Sequence, residues 1–415
     1  MSGSSAIDDA GGTEVVEQRD VVVVGAGPAG TAAAIELARA GVDAVVLDRA
    51  TFPRDKICGD GLTTSALRQL DHLGLDPRAV PSWQEVSDCW ISSPSGVTLG
   101  FPLPEGQGTF AVVARRVELD AALVDLARAS GAELREDCRV VGVEETDDRV
   151  RVRTDDGVIE ARWCIAADGM WSTVRKHLGL GVPGYRGDWH AFRQYFRRVS
   201  PAAARSIHVR FEADLLPGYF WSFPLPDGGA NVGFGIQRGA KVEVGDMGPL
   251  WQDLLARPWA RELLGPDAEP EGPHRAWPIP ARIDGLPLTG RRTLFVGDAA
   301  AACDTLTGEG IGQALQTGRL AAAAVADTGS SDAAATYAAH ATADLVADHR
   351  MSELLVRAMR HRKGARTAIR VAGATAWTRR NFARWLFEDY PRAVVLTPRR
   401  WRRGVLSSPG AYVPA

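Results

Sequence analysis

Four stretches of this sequence carry residues whose types and spacing could do chemistry. The first is Gly25-Ala26-Gly27-Pro28-Ala29-Gly30, with Asp48 lying 18 residues past the third glycine. Two glycines permit a tight turn and close approach of a pyrophosphate. The third lets a helix pack against a strand, and the acid is placed to accept hydrogen bonds from a ribose diol. Spacing alone does not choose between dinucleotides. The second stretch is Cys58-Gly59-Asp60-Gly61, a thiol among flexible glycines. A lone cysteine also reads as a small buried hydrophobe. The third is Pro217-Gly218-Tyr219-Phe220-Trp221-Ser222-Phe223-Pro224, followed by Gly233-Phe234-Gly235. Its plain reading is an aromatic core strand and a glycine bulge. The fourth comprises Gly297-Asp298-Ala299-Ala300 and Gly308-Glu309-Gly310-Ile311.

Elements must hold these residues in place. Val21 to Val24 form a continuous apolar run, as expected of a parallel strand buried on both faces. Thr31 to Ala40 reads as a small-residue helix closed by Gly41, and Ala44 to Leu47 as the next strand. Strand, glycine turn, helix, strand and acid in that order predict a Rossmann unit. No second fingerprint follows, so one dinucleotide is expected to be held permanently. Thr51 to Gly61 is a Pro- and Gly-rich loop, and Leu62 to Leu73 is expected to be helical. Arg116 to Ser130 reads as an amphipathic helix and residues 133–167 as strands, with Asp155-Asp156-Gly157 as a hairpin turn. Asp168-Gly169 is read as a brace for this unit or as a plain turn. Residues 186–284 are richer in aromatics, with strand patterns near Tyr195–Arg198, Ile207–Phe211, Tyr219–Phe223 and Asn231–Ile236. Leu294-Phe295-Val296 returns as a core strand, a long helix runs from about Gly310 to Ala326, and the remainder is helical and increasingly basic.

Composition bounds the class. With 415 residues, 45% hydrophobic and 24% charged, the chain is ordinary globular material long enough for two or three units. A formal net charge of −3 argues against nucleic acid as a partner. The average hides an asymmetry: residues 350–403 hold 15 Lys+Arg against 3 Asp+Glu. No apolar run approaches a membrane span, and residues 1–18 read as a disordered leader rather than a signal peptide. Five scattered cysteines with no CxxC pair predict reduced thiols and no metal site.

Taken together, the four stretches resemble the geranylgeranyl reductase family within the FAD-dependent, p-hydroxybenzoate hydroxylase-like superfamily. The aromatic stretch matches every fixed position of that family's YxWxFP-x(7–8)-GxG motif. The resemblance spans about residues 18–330. It implies an α/β fold: a Rossmann-like FAD-binding domain of glutathione reductase/p-hydroxybenzoate hydroxylase type, with an inserted antiparallel-sheet substrate domain and a C-terminal helical segment. The expected boundaries are 19–80, 111–185 and 286–345 for the FAD-binding domain, 81–110 and 186–285 for the substrate domain, and 346–415 for the basic C-terminal segment.

The resemblance also implies roles. FAD would be held by Gly25, Gly27, Pro28, Ala29 and Gly30 at the pyrophosphate, by Asp48 with Arg49 at the adenosine ribose, and by Arg116. Cys58, Gly59 and Gly61 would approach the isoalloxazine ring, Asp298 the ribityl chain, and Gly308, Gly310 and Ile311 the pyrimidine edge. A helix N-terminus there would stabilise the negative charge left by two-electron reduction. The implied activity is reduction of isolated C=C bonds in a polyprenyl substrate such as a menaquinone side chain or a prenyl lipid. Cys58, Tyr219, Trp221 and Phe223 would be catalytic. The ring faces of the last three would steady a developing cation, an attraction of about 0.5–2 kcal/mol. The competing readings are a monooxygenase or halogenase of the same fold, and a flavoprotein that only binds lipid. The halogenase motif GWxWxIP is not reproduced by Trp277-Pro278-Ile279-Pro280. Electrons are expected from transiently docked NAD(P)H or from ferredoxin. The expected location is cytoplasmic, with residues 350–403 touching the inner membrane face. Trp377, Phe382, Trp385, Leu386, Phe387 and Trp401 are interleaved with arginines there as in interfacial helices. A solvated helical face is the alternative.

Overall fold

The structure, a computed structural model, describes residues 16–103, 108–327 and 332–401. The remaining residues, including 1–15 of the expected leader and 402–415 of the expected basic segment, lie outside it. The first strand is Val16–Val24, so residues 16–18 are not leader but pair with Val158–Glu160.

The first sheet is parallel through Glu133–Arg135, Ala44–Leu47, Val16–Val24 and Val158–Ala166. Along one edge of Val158–Ala166 the first half pairs antiparallel with Val150–Thr154, and the last three residues pair parallel with Thr293–Phe295. Val21, Val22, Val23 and Val24 are buried. Each such side chain contributes about 1.5–3 kcal/mol by leaving water, which explains why this strand shows no alternation. One face is covered by the helices Pro28–Arg39, Arg116–Ala129 and Ile311–Ala326. The first and last approach at Gly318, where a Cβ would lie 2.1 Å from the Ala29 carbonyl oxygen. The helix expected over Leu62–Leu73 starts later, at Thr64. Gly61–Thr63 instead joins Ala111–Val113 and Gln84–Val86 in a small three-stranded sheet.

The second large sheet runs Glu269–Ile279, Trp189–Arg197, Ala230–Gln237, Phe220–Pro224, Ile207–Arg210, Asp88–Ser92, Thr98–Pro102. It is antiparallel except where Ile207–Arg210 meets Asp88–Ser92. Strand alternation explains the aromatic motif. Phe220 packs on Trp251, with ring centroids 6.2 Å apart, in a core of Phe192, Phe196 and Phe234. Trp221 and Phe223, one residue out of phase, face the other side and line a cavity.

Helices Ala347–Met359, Arg362–Ala372 and Ala376–Leu386 follow. The last packs Phe382 against Phe101 of the second sheet, with ring centroids 5.0 Å apart. The apolar residues expected as an interfacial set therefore divide. Phe382, Trp385, Leu386 and Phe387 turn inward to line the cavity, while Trp377 and Trp401 are exposed. The physical reason is that the second sheet's aromatic face needs a cover, and this helix supplies it.

Candidate active site

A cavity of about 1170 Å³ runs from Gly25 and Asp48 past the Cys58 loop to the C-terminal helices. It exceeds the roughly 300–1,000 Å³ of ordinary ligand pockets, leaving room for a cofactor and an apolar substrate together.

At one end the glycine turn is set by close contacts. Gly25 has φ +102°, and a Cβ there would meet the Ala167 carbonyl oxygen at 2.4 Å. A Cβ on Gly30 would lie 1.7 Å from the Gly25 oxygen. Gly27 is different: a Cβ would meet only the Arg54 guanidinium, at 3.6 Å, so it borders open cavity beside Pro28 and Ala29. Asp48 is fixed by two backbone donors, Ala26 N–H at 2.7 Å and Ala50 N–H at 2.8 Å. Arg49 is exposed and lines the same end. Asp168 accepts from Val174 N–H at 3.0 Å in the first turn of the helix Thr173–His177, whose N-cap is Ser172.

Midway, Arg116 is buried, and its Nε and Nη2 donate to Asp120 at 2.7 and 2.8 Å. Asp120 also accepts from Arg54 at 2.8 Å. One buried carboxylate thus holds two guanidinium groups in the cavity wall.

At the far end Asp298 accepts from the Cys303 thiol at 3.3 Å and lies 3.9 Å from the Lys56 ammonium. Lys56 also sits 3.8 Å above the Trp277 ring centre. Burial lowers its pKa, with Asp298 opposing. Gly308 has φ +70°, and Gly310 precedes the first turn of the helix Ile311–Ala326. The N–H groups of Gly310 and Ile311 donate to no protein acceptor among the described residues, as a helix N-terminus aimed at a ligand requires.

The glycine loop packs directly on the aromatic motif. Cβ atoms on Gly59 and Gly61 would meet the Phe223 ring at 3.4 and 3.1 Å. Cys58 is half-buried in the cavity wall. Burial pushes its thiol pKa up, with Arg116 opposing, so the sulfur stays a thiol near neutrality rather than a nucleophilic thiolate. Next to it Asp60 is buried with φ +65°. It accepts from the Tyr195 hydroxyl at 2.6 Å and from Asn231 Nδ2 at 2.8 Å. Asn231 also donates to the Cys58 carbonyl at 2.9 Å and accepts from Trp221 Nε1 at 3.1 Å. This chain of hydrogen bonds fixes the Trp221 ring against the thiol loop. The Tyr219 hydroxyl donates to the Thr307 carbonyl, tying the motif to the Gly308 loop.

The structure therefore brings together the residues expected from the sequence, and adds Lys56, Asp60, Tyr195, Asn231 and Glu309. Asp60 and Glu309 lie inside quoted motifs, but their partners come from distant strands. Asn231 had a usable signal, being a polar residue on a buried strand; it pairs with Phe223. The residues present fit a bound FAD: an open glycine face, a fixed acid at the ribose end and unpaired N–H groups at the ring end.

Comparison with known proteins agrees. A family model described as "FAD binding domain" matches residues 18–348. The chain is 37% identical over 336 residues to a menaquinone reductase of Mycolicibacterium smegmatis, covering 75% of this chain and 78% of the relative. It is 35% identical over 325 residues to a digeranylgeranylglycerophospholipid reductase of Methanopyrus kandleri, covering 74% and 77%. A geranylgeranyl bacteriochlorophyll reductase-like protein from Thermoplasma acidophilum superposes with a TM-score of 0.76 at 22% identity, covering 93% of this chain and 100% of that one. That likeness bears on the fold. With the family model spanning most of the chain and relatives above 30% identity, the chain belongs to the FAD-binding domain family, among its geranylgeranyl reductase-like members.

Proposed function

We propose that this protein is an FAD-dependent oxidoreductase that reduces isolated C=C bonds of a polyprenyl substrate. One observation carries the reading. The cavity does not end at the cofactor site but continues into an apolar chamber between Tyr219, Trp221 and Phe223 on one side and Ile369, Phe382 and Leu386 on the other. An isolated alkene offers no carbonyl to polarise, so the protein must exclude water, align the chain and steady a developing cation. The aromatic faces suit that task. Bound FAD would supply the hydride. Arg116, Asp298 and the Gly310–Ile311 N–H groups would hold it, and the Asn231–Asp60 hydrogen bonds would hold Trp221 beside it. The reductase relatives support the same class of substrate.

The test is an anaerobic assay with chemically reduced flavin against menaquinones, geranylgeranyl diphosphate and prenylated glycerolipids, read by mass spectrometry. Uptake of two hydrogens per double bond without oxygen is expected. Oxygen-dependent gain of an oxygen atom instead would identify a monooxygenase.

We propose further that the enzyme takes its lipid from an anionic membrane face. Among the described residues no helix is long and apolar enough to cross a membrane. Val371 lines the cavity yet is 63% exposed, which marks a mouth on the helix Arg362–Ala372. Leu354 and Trp377, on the helices before and after it, are exposed as well. Arg362, Lys363, Arg366 and Arg370 are exposed on the same helix. Each basic side chain near an anionic leaflet contributes about 1 kcal/mol. Reversing these four charges should abolish co-sedimentation with phosphatidylserine vesicles while leaving FAD content intact. Undiminished binding would sink the docking proposal.

A further inference from the structure

Beside the aromatic motif two buried acids and a third that is nearly so converge from two separate segments of the chain. Asp304 and Glu309 come from the loop before the helix Ile311–Ala326, and Glu388 follows the helix Ala376–Leu386. Arg392 is the guanidinium at their centre. It lies 3.2 Å from Asp304 and 3.0 Å from Glu388, and donates to Thr307 Oγ1 at 3.1 Å.

The three acids differ in what solvates them. Asp304 accepts from Leu306 N–H, Thr307 N–H, the Thr307 hydroxyl and the Ser352 hydroxyl, between 2.5 and 3.0 Å. Glu388 accepts from Thr63 Oγ1 at 3.1 Å, Gln313 Nε2 at 3.1 Å and Arg392 at 3.0 Å. Among the described residues Glu309 accepts one hydrogen bond, from Gly312 N–H at 2.8 Å. A buried carboxylate needs several donors or a counter-ion to remain charged. Asp304 and Glu388 have them and share the single guanidinium. Glu309 is the member left to be neutral, and of the three it is the one that lines the cavity.

We propose that Glu309 is the proton donor to the substrate in this cavity, paired with Glu388, through which it is recharged. The inference rests on the reduction proposed above. As the Glu309 O–H bond breaks, its proton forms a C–H bond with one alkene carbon, using the π electron pair. The other carbon accepts a hydride from reduced flavin, and Glu309 is left as a carboxylate beside Arg392. Glu388 is the route back to water, since its side chain remains 11% exposed. It is also held at φ +55°, a conformation that a non-glycine residue keeps only where the surrounding fold imposes it.

The charged and titratable groups facing Glu309 are consistent with this assignment. Burial pushes Glu309 up to about 8, Glu388 and Asp304 add to the shift, and Gly312 N–H and Arg392 oppose it. Burial raises Glu388 as well, with Arg392 and its hydrogen-bond donors opposing, so the two carboxyls titrate as a pair. Asp304 is held below its usual range by Arg392 and its hydroxyl donors despite burial. Cys58, Cys303 and Tyr219 also lie within reach of Glu309, and burial raises all three, so they stay neutral at the pH where Glu309 works.

The test uses the FAD-loaded full chain. Infrared difference spectra without substrate should show a protonated carboxyl band at neutral pH, sensitive to deuterium and absent in Glu309→Gln. In Glu388→Gln, which keeps the shape but removes the neighbouring charge, the band should titrate at lower pH. The alkaline limb of kcat should move down with it. Glu309→Gln should lower kcat by about 10²–10⁴-fold at unchanged FAD content, and Glu309→Asp should recover part of that. No protonated carboxyl in the wild type at neutral pH, or an alkaline limb unmoved in Glu388→Gln, would overturn the proposal. If the band behaves as expected but the wild type reduces no polyprenyl lipid, the functional reading falls and the donor role with it. If lipid is reduced and the band is missing, the donor role alone falls.

Discussion

The two ends of the cavity are built in opposite ways. At the dinucleotide end, everything from Val21 to Asp48 comes from one continuous stretch, and most of its close contacts are with neighbouring backbone, Gly30 against Gly25 and Asp48 against Ala26 and Ala50, with Gly25 against Ala167 and Ala29 against Gly318 as its tight long-range contacts. At the substrate end, hydrogen bonds cross large sequence distances: Asp60 to Tyr195, Cys58 to Asn231, Thr63 to Glu388. The first end is made by local steric rules, the second by charge and hydrogen-bond matching between segments that meet only after folding. Breaking each should therefore have different consequences.

The largest effect is expected at Gly30. Gly30→Val would push side-chain atoms into the Gly25 carbonyl, and no flexible neighbour can yield. Overpacking typically costs about 1–3 kcal/mol, and more where, as here, the obstacle is backbone. The purified variant should carry almost no flavin, read as flavin absorbance per protein. Near-stoichiometric FAD would show that the turn is not the binding element.

Next in size is Arg392→Met. Removing one partner of a buried ion pair costs about 3–5 kcal/mol, because the remaining acids stay buried and unpaired. Thermal unfolding should fall markedly while the folded protein still binds FAD, since Arg392 reaches the ring-end loop through Thr307 and makes no contact with the glycine turn among the described residues. Equal loss of both would erase the contrast between the two ends.

This contrast also explains what the sequence made legible. The glycine turn, Asp48 and the alternation through Tyr219, Trp221 and Phe223 could be read because each follows from local spacing or period. Asp60 stood in a quoted motif, and Glu309 in another, yet neither was assigned a role. Asp60 acquires one from Tyr195 and Asn231, and Glu309 from Glu388 and Arg392. The C-terminal arginines misled for the same reason. Arg384 and Arg392 look like surface charge in a basic segment, but Arg384 pairs with Asp389 at 2.6 Å with 1% of its side chain exposed, and Arg392 is equally enclosed. Composition records charge without recording its partners.

A smaller effect is expected from Trp221→Leu. It removes a ring proposed to steady the cation and leaves Asn231 Oδ1 without the Trp221 donor. An interaction of about 0.5–2 kcal/mol corresponds to roughly a 2- to 30-fold loss of turnover, with FAD retained. Wild-type turnover would remove the aromatic face from the mechanism and leave it as packing.

The effect most diagnostic of how the substrate end is held together is on the pH dependence of stability. A carboxyl whose pKa rises from 4.5 in the unfolded chain to about 8 in the fold makes the folded state bind more protons between those values. Stability from this group is fully present below about pH 4.5 and is lost as pH rises toward 8, because linkage makes stability fall wherever the folded state holds the extra proton. Wild-type unfolding free energy, measured by urea denaturation from pH 5 to 8, should therefore carry a downward contribution that Glu309→Gln lacks. Glu388→Gln should show a shallower version of it, since the neighbouring charge raises Glu309 in addition to burial. Each pKa unit recovered is worth about 1.4 kcal/mol, so the variants should gain on the wild type most at pH 8 and least at pH 5. Parallel pH profiles for all three proteins would mean that Glu309 is ionised throughout, and that the substrate end holds three charged acids around one arginine.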